Sequence, residues 1–116
     1  MGRRLPASRR NTEMGSLDVD QAVHVVYSGH VQGVGFRYTV SRIARGFDIT
    51  GYVMNRCDGS VQLVAEADRH TLKAFLGEID ASGLDRFIFG REVNWGVASG
   101  QFHDFGIQHE GSRGNG

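Results

Sequence analysis

The sequence predicts an α+β domain in which two helices lie on one face of an antiparallel sheet. The element order is β-α-β-β-α-β with a short extra strand. Three observations carry this reading. Five short runs are rich in β-branched and aromatic residues, the composition of strands. Two other segments space their apolar residues at the helical period instead. An Asp-Gly pair joins two of the strand runs as a hairpin. The length of 116 residues suits one domain with one core.

The elements follow in order. Residues 22–28, AVHVVYS, read as the first strand, and GHVQGVG follows as a glycine-rich loop. From Phe36 the apolar positions Phe36, Val40, Ile43, Ala44 and Phe47 repeat at helical spacing, and Gly46 supplies a C-terminal stop. ITGYVMN is the second strand, RCDGS the turn, and VQLVAEA the returning antiparallel partner. Asp68 or Thr71 can cap the next helix, whose stripe is Leu72, Phe75, Leu76 and Ile79. RFIFGREVNWGV and FGIQH complete the chain as two strands, separated by the turn ASGQFHD. This order is the ferredoxin-like split βαβ sandwich. The domain is therefore expected at 22–109. Residues 1–21 are read as a basic, disordered extension and 110–116 as a flexible tail, and Met14 is a possible alternative start.

Composition narrows the function. Hydrophobic residues make up 40% of the chain and charged residues 22%, an ordinary globular balance. No run reaches the ~18 apolar residues of a membrane span, and no apolar block follows the basic N-terminus, so a cytoplasmic protein is expected. The single cysteine, Cys57, excludes an internal disulfide and a cysteine-based zinc site. It reads as a turn or strand-end residue rather than a reactive thiol. The five histidines (24, 30, 70, 103 and 109) fall at no metal-binding spacing, so neither metal nor cofactor is expected. Formal net charge is zero, yet Arg3, Arg4, Arg9 and Arg10 against Glu13 give the first 14 residues +3, leaving the body at −3. An acidic body argues against nucleic-acid binding, and an aromatic RNA-binding strand fails further because GVGFRYTV opens a helix.

The chemistry concentrates in residues 29–37. A strand-to-helix turn leaves the first N–H groups of the helix without intrahelical partners, and the helix dipole favours an anion there. Gly33 and Gly35 let a phosphate approach the backbone, while Val34 and Phe36 can anchor the loop in the core. Arg37, in the first helical turn, opposes the dipole by a few tenths of a kcal/mol unless it faces a bound anion. Spacing alone leaves open whether this is a structural turn or an anion cradle. The Walker loop is excluded because Phe36-Arg37 stands where Lys-Ser/Thr is needed, and the dinucleotide fingerprint because Tyr38 replaces its third glycine. Asn55 ends the second strand, where its amide can reach the loop. It can equally be a hairpin initiator, since asparagine favours turns.

Taken together, GHVQGVGFR (Gly29–Arg37) and TGYVMNRCDGSVQLVAEA (Thr50–Ala67) resemble the acylphosphatase family. Its first signature is a Val-Gln-Gly-Val-Gly-Phe-Arg loop, and its second is matched by Gly51, Tyr52, Val53, Asn55, Gly59 and Val61. The resemblance covers residues 22 to about 109. It implies a hydrolase that cleaves the carboxyl-phosphate anhydride of a small acyl phosphate to carboxylate and inorganic phosphate. On the same ground, Arg37 and the loop from Gln32 through Gly33, Val34, Gly35 and Phe36 bind the phosphoryl group, and Asn55 holds the attacking water. A free-standing, monomeric, metal-independent enzyme is expected; a domain that binds phosphate without turnover is the alternative.

Two positions depart from the family pattern. Ala67 stands where the second signature closes with glycine, and a need for φ > 0 there would cost ~1 kcal/mol. Met54 replaces a commoner basic residue, which removes a charge that could draw in substrate.

Overall fold

The structure, a computed structural model, describes residues 20–109. The expected N-terminal extension up to residue 19, with the alternative start at Met14, and the expected C-terminal tail lie outside the described residues. The elements run β1 (Gln21–Gly29), α1 (Phe36–Ala44), β2 (Thr50–Asn55), β3 (Val61–Ala67), α2 (Arg69–Asp80), a 3-10 turn (Leu84–Phe87), β4 (Ile88–Val97) and β5 (Phe105–His109). They form one five-stranded sheet in the order β4-β1-β3-β2-β5.

Period-two alternation sorts the sheet into two faces. Val23, Val25 and Tyr27 of β1 and Val61, Leu63 and Ala65 of β3 are all at most 1% exposed and meet the helices. Phe36 and Val40 of α1 and Leu72, Phe75 and Ile79 of α2 close the same core. On the other face stand His24, Tyr52, Met54, Gln62, Val64 and Glu66. Ala67 closes β3 within the ladder, paired with Gln21 and 5% exposed. An extended strand residue suits alanine, so the conditional strain at this position does not arise.

Helix α2 opens on Asp68, whose carboxylate accepts the Thr71 N–H at 2.9 Å and the Thr71 hydroxyl at 2.8 Å. Of the two candidate caps, Asp68 is the cap and Thr71 its partner. Helix α1 stops at Ala44, two residues short of the expected Gly46. Its last turn tightens into i→i−3 bonds, with the Gly46 N–H on Ile43 O at 2.9 Å and the Phe47 N–H on Ala44 O at 3.0 Å. Gly46 is absent from the positive-φ glycines, so the stop is this tightening and not a left-handed cap.

The last two strands differ from a simple turn between neighbours. The 98–104 segment carries the chain from β4 at one edge to β5 at the other. Four inter-strand steps of about 4.8 Å make ~19 Å, and the eight Cα–Cα steps from Val97 to Phe105 reach roughly 26–29 Å, so the segment spans the sheet with room for the left-handed turn at Gly100. It lies over the open face, where the Glu66 carboxylate accepts from the Ser99 N–H (2.9 Å), the Ser99 hydroxyl (2.8 Å) and the Gly100 N–H (3.0 Å). Because of this crossing, β5 joins β2 in parallel while the other three pairings are antiparallel. The expected antiparallel sheet thus gains one parallel edge strand. The expected start of β4 at residue 86 moves to Ile88, because residues 84–87 form the 3-10 turn that seats Leu84 in the core.

Strands β1, β2 and β5 run in the same direction. Their carboxyl ends and the amino end of α1 therefore gather at one end of the sandwich.

Candidate active site

The loop leaves β1 at a bulge between Ser28 and Gly29, and the His30 N–H then bonds Phe87 O at 2.9 Å. Val31, fully buried, and Phe36, 2% exposed, pin both ends of the loop into the core, with Val34 packed partly between them. Gly33 and Gly35 adopt φ of 80° and 78°, a region that side chains strain to enter. A Cβ built on either would meet nothing within 4 Å. Conformation, not crowding, demands glycine at both positions, and open space faces the backbone there.

Gly35 is the N-cap of α1 and offers no side chain to the helix. The first bond of the ladder is the Thr39 N–H on Gly35 O at 2.9 Å. The N–H groups of Phe36, Arg37 and Tyr38 precede it without a side-chain cap, and no acidic residue occupies the first turn. These donors and the positive end of the helix dipole look into a depression of about 480 Å³. It is lined by Val31, Gly33, Gly35, Phe36, Arg37, Tyr38, Asn55, Ile107 and His109.

Arg37 is half-buried, and among the described residues no carboxylate forms an ion pair with it. Asn55 shares the helix-side face of β2 with the buried Val53. Its Oδ1 is buried and has no hydrogen-bond partner among the described residues. A lone buried acceptor is costly, by about 1–3 kcal/mol, and calls for an explanation. The hairpin turn after it does not supply one. The Arg56 N–H bonds Ser60 O at 2.9 Å, and Asp58 accepts from both the N–H and the hydroxyl of Ser60. The Ser60 hydroxyl, then its N–H, hold the Asp58 carboxyl below its ordinary value. The turn is thus built by Asp58 and Ser60, and Asn55 is not needed to initiate it.

Gln32 takes a place that its sequence position did not reveal. Its amide donates to Arg56 O at 2.7 Å and to Ser60 O at 2.9 Å, tying the glycine loop to the hairpin that carries Asn55. The structure therefore brings Arg37, Asn55 and the 33–36 backbone to one mouth, while the Gln32 side chain turns away to the hairpin. Ile107 and His109 were missed by the motif reading. They enter the mouth only because β5 pairs with β2, and Asn55 stands opposite His109 in the register. Among the described residues no group of three or more His, Cys, Asp or Glu could hold a metal ion, and no helix is long and apolar enough to cross a membrane.

Comparison with known proteins identifies the family. A family profile described as Acylphosphatase matches residues 23–107. The acylphosphatase of Caldanaerobacter subterraneus subsp. tengcongensis is 40% identical over 87 residues, which span 75% of this chain and 97% of that relative. The crystal structure of acylphosphatase from Bacillus subtilis superposes with a TM-score of 0.69 at 30% identity, covering 76% of this chain and 98% of that one. Full-length HypF in its phosphate- and nucleotide-bound form matches with a TM-score of 0.70 at 30% identity, over 81% of this chain but only 13% of that protein.

Proposed function

Because the chain belongs to the acylphosphatase family, we propose that it hydrolyses small acyl phosphates at the mouth formed by the 33–37 loop and Asn55. The observation that carries this reading is the buried Oδ1 of Asn55, which has no hydrogen-bond partner among the described residues, set beside an uncapped helix N-terminus and an arginine that pairs with no described carboxylate. Each of the three wants a partner, and a phosphoryl group with its attacking water supplies all of them.

In this reading the loop amides and the Arg37 guanidinium hold the non-bridging phosphoryl oxygens. Charge building on those oxygens during transfer meets donors that are already oriented. Asn55 Oδ1 accepts a hydrogen from water and aims its lone pair at phosphorus. The new P–O bond forms as the bond from phosphorus to the acyl oxygen breaks, and the acyl group leaves as a carboxylate. A carboxylate is a good leaving group, so no general acid is required. The proton of the water passes to a phosphoryl oxygen, because neither the 29–37 loop nor the Asn55 strand end offers it a carboxylate base. Positioning and fixed dipoles therefore provide most of the acceleration.

The test is release of inorganic phosphate from a generic acyl phosphate, with a phosphate monoester as control and a chelator present throughout. Activity on the anhydride alone, unchanged by chelation, is the expected result. Arg37→Ala should lose at least ~100-fold in kcat/KM together with most competition by phosphate, as two charge-assisted hydrogen bonds disappear. Phosphate binding without turnover in the unaltered protein would favour a phosphate-binding domain instead.

A further inference from the structure

We propose that His109 is a second, pH-gated cation of the anion site, acting on the phosphoryl group together with Arg37. The inference rests on the reading above only for the identity of the natural ligand. His109 closes β5 and pairs with Asn55 in the parallel register, so their backbones stand about 4.8 Å apart. Strand alternation places it on the face of Phe105 and Ile107, and it lines the same depression as Arg37 and Asn55, while at the end of the edge strand it also borders the larger depression on the open face. Arg37 is the one other residue of that lining able to carry positive charge. Met54, on the opposite face of β2, brings none.

The acyl phosphate presents two negative charges near neutral pH, and a single guanidinium neutralises one. Histidine is the side chain that ordinarily changes charge between pH 5 and 8. An anion beside the ring favours its protonated form, so anion binding and proton uptake are linked. The linkage has a definite sign. Affinity is highest at low pH, where the ring arrives already protonated, and falls as pH rises and binding must bring its own proton. Among the described residues, the charged or titratable groups that share this lining with His109 are Arg37 and Tyr38 of α1, and Arg56 with Asp58 follow Asn55 on the hairpin. These residue types do not ordinarily change charge between about pH 5.5 and 8.5. His24 stands on the open face toward Glu66, and His30 packs edge-on against Phe89.

Sulfate is the probe, because unlike phosphate it keeps its charge over this range. Its affinity is read from amide chemical shifts of residues 33–37 in the whole chain, at constant ionic strength. The wild type should bind sulfate about tenfold more tightly at pH 5.5 than at pH 8.5, the effect of one unit of linkage. His109→Gln should bind weakly and equally at both values. His109→Lys, charged throughout, should bind tightly and equally at both. The position is exposed at a strand end, so circular dichroism should show all three folded alike. A pH slope retained in His109→Gln, a flat wild type, or no sulfate binding at either pH would overturn the proposal. Acyl phosphate hydrolysis by the same wild-type sample separates the two readings. A His109-dependent slope without hydrolysis fails the enzymatic reading and keeps His109 in the anion site. Hydrolysis with a flat slope fails His109 alone.

Discussion

Glu66 and Asn55 are two polar residues of neighbouring strands with opposite circumstances. The Glu66 carboxylate, 6% exposed on the open face, accepts three hydrogen bonds from the 98–104 segment. Burial pushes its titration up, but the N–H groups of Ser99 and Gly100, the Ser99 hydroxyl and His24 outweigh that and hold it below its ordinary value. Asn55 Oδ1, on the helix side, is buried and has no hydrogen-bond partner among the described residues. A larger depression of about 720 Å³ lies on the Glu66 side. Size therefore does not mark the proposed site. A buried acceptor that is satisfied holds the fold; one without a partner among the described residues is where we propose that the substrate's water binds.

The sharpest way to break this contrast is Asn55→Ala. Its kcat should fall by roughly 100- to 1,000-fold, comparable to losing one preorganised group at a transition state. Phosphate inhibition should move only a few-fold. Thermal stability should hold or rise, since the change removes an unsatisfied acceptor and breaks no hydrogen bond of Oδ1. Full turnover in this variant, or an unfolded hairpin, would return Asn55 to the role of turn former.

Glu66→Ala should do the reverse. Stability should drop by about 2 kcal/mol as the crossing segment loses its anchor, while kcat stays within about twofold. The sign with pH follows from the lowered carboxyl. Its stabilising contribution is complete above the ordinary carboxylate range and is lost as pH falls through its folded value. Melting curves of wild type and variant should therefore lie furthest apart near neutral pH and converge in acid. A gap that widens in acid would contradict the hydrogen-bonded carboxylate, and a large loss of turnover would show that the two regions are coupled.

Gln32→Ala sits between the two kinds of effect and is the smallest. Losing its bonds to Arg56 O and Ser60 O should cost about 1 kcal/mol of stability. Loosening the loop against the hairpin should lower kcat by about fivefold, because small misplacements of reacting groups are amplified. In a double-mutant cycle this loss should largely vanish on an Asn55→Ala background. Additive losses would mean that Gln32 does not act through the Asn55 hairpin.

Much of this was legible before any coordinates. The strand β3 was read with its observed ends, and β1, β2 and α2 were found in place because their side chains face one core at periods of 2 and 3.6. Two failures are instructive. Gly46 read as the stop of α1, but the backbone closed by i→i−3 bonds from the Arg45, Gly46 and Phe47 N–H groups, a local choice that composition does not encode. ASGQFHD read as a turn, although it spans the sheet from edge to edge. Turn residues announce that a chain bends, not how far it then travels.

The sequence by itself determined the period of each element, the glycines that alone suit φ near 80°, and the order in which Arg37 and Asn55 follow their loop and strand. These are local properties, set by covalent geometry and side-chain chemistry within a few residues. Tertiary structure decided which acceptor would be satisfied and which left open, since that depends on groups far apart in the chain. Glu66 meets Ser99 across 33 residues, and Gln32 reaches Arg56 across 24. His109 comes beside Asn55 only after the 98–104 segment has crossed the open face and laid β5 parallel to β2.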